Sequence, residues 1–199
     1  MDYFDLHCDT PGEIFKRKEC INQNSCHISL QKADYINRWI QCMAVWIPDA
    51  YSGDNALDYF ERVYYNFLSQ IEIPDIISSG EMIKNCDRGF IITVEGGRVL
   101  GGKPELIKKL ADMNVKVLTL TWNGENEIGG GADTNIGITP FGKSAVEQLE
   151  NNGIIIDISH ASDKLFYDVC KISKKPFVAT HSNSRKICNV LLTEGIITL

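Results

Sequence analysis

The sequence predicts an α/β fold around a mainly parallel sheet, on three observations. Short apolar runs alternate with amphipathic stretches, the pattern of successive βα units. The 199 residues are 44% hydrophobic, enough to bury a sizeable core, and the length suggests one domain over 1–199. Polar residues of one chemical kind recur where the apolar runs end: His7 and Asp9, then Glu95, His160 and His181.

The elements follow in order. Residues 3–7 read as a first strand and 40–47 (IQCMAVWI) as a second, buried one. Asp54 is placed to cap a helix whose apolar face carries Leu57, Phe60, Val63, Tyr64, Phe67 and Leu68. Residues 90–95 (FIITVE) form a third strand, and Pro104 opens a helix bearing Leu106, Ile107, Leu110 and Met113. A fourth strand spans 115–121 (VKVLTLT) and is followed by a long polar loop with Gly129, Gly130 and Gly131, read as a mobile loop near the mouth and a candidate lid. Thr139 and Pro140 start a helix with Phe141, Ala145, Val146 and Leu149 inward. Residues 154–159 (IIIDIS) give a fifth strand, Ser162 caps the next helix, and 177–180 give a sixth strand. No Pro- or Ser-rich linker, low-complexity tract or internal repeat interrupts the series.

Bulk properties narrow the function. The net charge of −6 argues against non-specific binding to nucleic acid or anionic membranes. No apolar run reaches the roughly 18–20 residues of a membrane span. The start, MDYFDLHCDT, shows no basic stretch followed by an apolar one, so no signal peptide is read there. Seven cysteines, an odd number without a CxxC, suit reduced thiols and a cytoplasmic location. Cys20, Cys26 and His27 match no standard zinc spacing. The reading leaves a homo-oligomer open.

The strand ends carry the functional signal. In parallel α/β architectures, residues at the carboxyl ends of the strands converge on one face, where sites are built. Three imidazoles and two carboxylates suit zinc, and an acidic oxygen is able to bridge two ions. His7 and Asp9, two residues apart on a strand, share a face and are able to grip one ion. Gly96 and Gly97 allow tight backbone passage behind Glu95. Asp157 is placed either to orient a ligand from behind or to make a hydrogen bond within its strand.

The segments DLHCDT (5–10), TVEGG (93–97), LTLTWN (118–123), GITPFGKSAVEQL (137–149), IIDISHAS (155–162) and PFVATHSNSR (176–185) follow one another in the order of the membrane dipeptidase family. The sequence resembles that family, the renal dipeptidases or M19 peptidases, over nearly its whole length. The resemblance implies a (β/α)8 TIM-type barrel, of which about six of the eight strands are present here. It also implies two zinc ions: His7, Asp9 and Glu95 hold the first, and His160 and His181 hold the second, with Glu95 bridging. The implied reaction is hydrolysis of dipeptides by a hydroxide that bridges the metals, which makes Glu95 the catalytic carboxylate as well.

Departures from the family carry expectations of their own. The animal enzymes have a substrate-binding His in the motif that LTLTWN matches, and the sequence reading sets Trp122 against that position, as an aromatic wall at most. After HSNSRKIC the family shows an Arg-Asn pair that helps bind substrate, and later an Asp near its final strand. The sequence runs to NVLLTEGIITL without a counterpart of either, and Arg185 is not that arginine. An incomplete barrel exposes sheet edges, so a truncated, catalytically impaired metal-binding fragment is the expected alternative. A third reading, a phosphate loop at 97–103 (GRVLGGK), is weaker, because Pro104 replaces the Ser or Thr that would hold magnesium. Other amidohydrolase-like enzymes often pair an HxH with a metal-bound Lys on strand four. Asp9, and the lack of Lys between Thr119 and Asn126, argue against that group.

Overall fold

A computed structural model describes residues 1–72 and 75–183. Five parallel strands make one curled sheet in the order β1-β2-β3-β4-β5: β1 Asp2–Asp5, β2 Arg38–Trp46, β3 Arg88–Glu95, β4 Val115–Thr119 and β5 Ile155–Asp157. Strand order equals chain order, so the sheet winds in one direction with no reversal. That is the winding of a barrel, here an open half-barrel, rather than of a doubly wound sheet.

Helices α1 (Thr10–Arg17), α2 (Leu30–Ala33), α3 (Asp54–Leu68), α4 (Gly80–Asn85), α5 (Glu105–Asp112) and α6 (Pro140–Asn151) lie between the strands in sequence, and α7 (Asp163–Ile172) follows β5. The alternation along each strand divides the two faces. Met43, Val45, Phe90, Ile92, Val94, Leu118 and Ile156 face the helices and pack with Phe60, Val63, Phe67, Ile107, Leu110, Val146, Leu149 and Leu165. Each large apolar side chain buried there contributes roughly 1.5–3 kcal/mol. Ile40, Cys42 and Ile91 point to the other, inner face, against Ile77. In the same alternation Trp46, Thr93 and Glu95 are inner-face residues. Register then sets Trp46, Glu95, Thr119 and Asp157 in one row across four strands.

The helix expected from Asp54 forms, but Asp54 does not cap it. The helix starts at Asp54 after Gly53, whose φ of +54° turns the chain, and the Asp54 carboxylate instead meets Lys103 Nζ at 2.5 Å. Thr139 and Ser162 do cap α6 and α7, accepting from Gly142 N and Leu165 N.

Three strands stop two residues earlier at their carboxyl ends than expected, and β2 stops one residue earlier, at Trp46. β1 stops at Asp5, whose Oδ1 accepts from His7 N at 3.3 Å and bends the chain into the turn before α1. His7 and Asp9 therefore lie past the strand, and Asp9 is the residue before α1. β4 stops at Thr119 and β5 at Asp157.

The sixth strand over 177–180 is reduced to one parallel bridge between Val178 and Asp157. Its ladder ends because Thr180 N donates to the Asp157 side chain, at 3.1 Å, instead of to a backbone carbonyl.

Candidate metal centre

Glu95 is the last residue of β3, on the inner face and only 3% exposed. Gly96, at φ +112°, turns the chain away behind it. Gly97 passes so close to the residue after β4 that a Cβ would lie 2.6 Å from Leu120 O, which is the tight passage the two glycines were expected to allow.

Around Glu95 the structure gathers the other four predicted residues from three distant segments. Glu95 Oε2 lies 3.5 Å from His7 Nε2, which is also 3.5 Å from Asp9 Oδ1. Glu95 Oε1 lies 3.0 Å from His160 Nε2 and 3.4 Å from His181 Nε2. One carboxylate thus turns one oxygen to each of two groups. Donor atoms of His7, Glu95 and His181 all fall within 4.8 Å of one another. Asp9 is the outermost, with about half of its side chain exposed (48%).

The imidazoles of His160 and His181 each have a defined partner on the side away from Glu95. His160 adopts φ +61°, a left-handed conformation uncommon outside glycine, and its Nδ1 lies 2.9 Å from Asn123 Oδ1. The carbonyl oxygen only accepts, so Nδ1 donates to it, and Nε2 is the ring nitrogen turned toward Glu95. His181 Nδ1 lies 2.8 Å from Thr180 Oγ1. The two Nε2 atoms approach to 2.9 Å. Two ring nitrogens this close, with a carboxylate oxygen beside them, form a donor set that a cation can share.

The electrostatics point the same way. Burial works against a charge on His7, but the Asp9 and Glu95 carboxylates outweigh it and push the imidazole up to about 10. Burial also opposes ionisation of Glu95, yet the imidazoles of His160, His181 and His7 hold its carboxyl far below the usual range. A potential that retains a proton on His7 also attracts a divalent cation, which displaces that proton on binding. The set of nitrogen and carboxylate donors fits zinc.

Cys8, between His7 and Asp9 in sequence, stays out of the cluster. Its Sγ contacts Met43 Sδ at 3.5 Å, and burial pushes the thiol up to about 11.

Trp122 stands over the site, its ring 6.2 Å from that of His160 and 5.0 Å from that of Trp46. Trp46, Asn123 and Thr180 were not singled out from the sequence. Asn123 belongs to the LTLTWN segment and Thr180 adjoins a predicted ligand, so their positions carried a signal that their residue types did not. Arg185 lies outside the described residues.

The glycine triplet is not an open lid. Gly129, Gly130 and Gly131 are buried, Gly131 bridges to Ala161, and a Cβ on Gly131 would fall 1.8 Å from Trp122 O. Small residues are needed there because the loop packs backbone to backbone under the site. The phosphate-loop reading also loses its support. Residues 97–100 close as a 3-10 turn, Lys103 pairs with Asp54, and Gly101 packs against Gly53, where a Cβ would come within 2.9 Å of its Cα.

The sequence matches the model of the membrane dipeptidase family (peptidase family M19) over residues 1–192. The chain belongs to that family. Dipeptidase 3 of Mus musculus is 32% identical to this M19 chain over 127 residues, 59% of it and 26% of the mouse protein. Dipeptidase 3 of Homo sapiens is 30% identical over 146 residues, 69% of this chain and 30% of the human one. The chain thus spans about a third or less of the length of these relatives. A metallo peptidase from Rhodobacter sphaeroides, solved with a phosphinate mimic of the dipeptide L-Ala-D-Ala, superposes with a TM-score of 0.89. Its identity is 18%, and the match covers 97% of this chain and 69% of that one, so the likeness shows the fold. Among the described residues, no helix of this family member is long and apolar enough to cross a membrane.

Proposed function

We propose that the protein is a zinc-dependent dipeptidase whose two ions are held by His7, Asp9, Glu95, His160 and His181. The observation that carries this reading is the placement of Glu95, one oxygen toward His7 and the other toward His160 and His181. A carboxylate so placed screens the repulsion between two cations better than any residue that binds one alone. Zinc, when bound, supplies Lewis acidity for a peptide carbonyl and acidifies water enough to give a nucleophile near neutral pH.

The chain's own residues set the conditions for that chemistry. His7 and Asp9 form one group of donors, and His160 and His181 the other. Asn123 keeps the His160 lone pair directed inward, and the buried row beside Glu95 excludes bulk water from one side. Trp46 and Trp122 form an aromatic wall beside His160, against which a substrate side chain packs. A cytoplasmic setting with free thiols belongs to the same proposal, supported by the unpaired state of the six described cysteines.

The test uses the whole chain, stripped of metal and then reloaded with zinc, against a panel of dipeptides that includes L-Ala-D-Ala. Hydrolysis that depends on zinc is expected. Two bound zinc ions without hydrolysis would leave a metal-binding protein that lacks the catalytic activity. A folded chain that takes up no zinc would overturn the proposal.

A further inference from the structure

Asp157 is fully buried, at 0% exposure, on the inner face of β5 in the same row as Glu95 and Thr119. A carboxylate in that position needs full compensation by hydrogen bonds. Five donors supply it. Oδ1 accepts from Ser159 N at 2.9 Å, Ser159 Oγ at 2.8 Å and Thr180 N at 3.1 Å. Oδ2 accepts from Thr119 Oγ1 at 2.6 Å and Thr180 Oγ1 at 2.7 Å.

The consequence lies at Thr180. A hydroxyl has one proton, and here it is given to Asp157 Oδ2. Toward His181 Nδ1, 2.8 Å away, the same oxygen is left only to accept. Nδ1 must then carry a hydrogen, which makes Nε2, turned toward Glu95 Oε1, the ring nitrogen available to a metal. Ser159 repeats the logic on the backbone: its hydroxyl proton goes to Asp157 Oδ1, and its oxygen accepts from His181 N at 3.2 Å. His181 is therefore held at the ring and at the main chain by two hydroxyls that one buried carboxylate orients.

We infer that Asp157 and Thr180 are positioning residues of the centre: through the Thr180 hydroxyl, Asp157 fixes the His181 tautomer that binds metal. The inference rests on the reading of His181 as a metal ligand. It differs from a purely structural role, in which Asp157 would simply tie β5 to residues 178–180. Thr119 provides the internal control, because it donates to the same Oδ2 but makes no contact with His181 in this network.

The experiment measures zinc affinity by competition with a chromophoric chelator in four proteins: wild type, Thr180→Val, Thr180→Ser and Thr119→Val. Thr180→Val is expected to weaken the second ion about 10–100-fold, with Thr180→Ser close to wild type. Thr119→Val is expected to lower Tm and leave zinc affinity unchanged. Equal affinities in the two valine variants would overturn the inference while leaving the metal centre itself standing. A wild type that binds no zinc would instead remove the reading on which the inference rests. Long-range 1H–15N NMR of the wild-type imidazoles needs no variant. A proton on His181 Nδ1 is expected, and a proton on Nε2 in the zinc-loaded protein would overturn the inference.

Discussion

His160 and His181 bring their Nε2 atoms to 2.9 Å, while their Nδ1 atoms are taken by different partners, Asn123 and Thr180. Two imidazoles so held cannot both turn away, and a cation relieves the contact. Zinc is therefore expected to stabilise the fold, by about 2.7 kcal/mol at a free concentration 100 times Kd. Thermal unfolding with zinc and with a chelator measures this. His160→Ala or His181→Ala should lose one ion and keep the other. An unchanged Tm in the presence of a chelator would contradict the assignment.

Asn123 acts on His160 alone. Asn123→Ala should weaken zinc about 10–100-fold, as loss of an outer hydrogen-bond partner of a metal-bound His commonly does. Asn123→Asp keeps an acceptor at the same point, so it should retain most of the affinity. Titration of the metal-free variants with zinc separates the two. Equal losses would show that the side chain's acceptor does not orient the ring.

Gly131 tests the packing of the loop under Trp122. An alanine there would place its Cβ 1.8 Å from Trp122 O and 2.5 Å from Gly124 O, both backbone atoms that cannot swing aside. Gly131→Ala should cost about 1–3 kcal/mol and displace the Trp122 segment. Denaturant unfolding measures the first effect and tryptophan fluorescence the second. A variant as stable as wild type would restore the open-loop reading.

Glu150 gives a pH signature away from the site. Burial opposes its ionisation, but the Ser173 hydroxyl and the backbone N–H groups of Lys175 and Lys174 hold its carboxyl below the usual range. A lowered folded value means that the stabilisation is complete above the unfolded carboxyl value of about 4.3 and is lost as pH falls through the folded one. Glu150→Gln should therefore lower stability at pH 7, by about 1–3 kcal/mol, and the gap to wild type should close in acid. Chemical unfolding at several pH values reads it. A gap that does not shrink as pH falls below the unfolded carboxyl value of about 4.3 would contradict it.

Much of this architecture was legible in the sequence because burial writes a pattern. The run FIITVE on β3 could be placed to its final residue, since Glu95 ends an apolar series abruptly. The ends of β1 and β5 were not legible in the same way. Asp5 and Asp157 bend the chain by accepting from backbone N–H groups two residues on, and a strand-compatible sequence does not reveal that choice. Helix α1 was missed because Thr10 and Pro11 follow the ligand pair directly, although Glu13 in its first turn and Lys16 and Arg17 in its last are ordinary helix signals. The five candidate ligands stood out as titratable residues at strand ends. Asn123 and Thr180 did not, because an amide or a hydroxyl gains its role only from what three-dimensional packing sets beside it. The glycine triplet misled for a related reason: composition distinguishes flexible from tightly packed glycine only when the neighbours are known.

The central claim is that one carboxylate serves two metal sites. Zinc content after equilibrium dialysis of folded wild type and Glu95→Ala, the fold of each verified by circular dichroism, tests it most directly. Two ions per chain in wild type and loss of both in Glu95→Ala are expected. A folded Glu95→Ala that still holds two ions would show that Glu95 is not shared, and the account would fail.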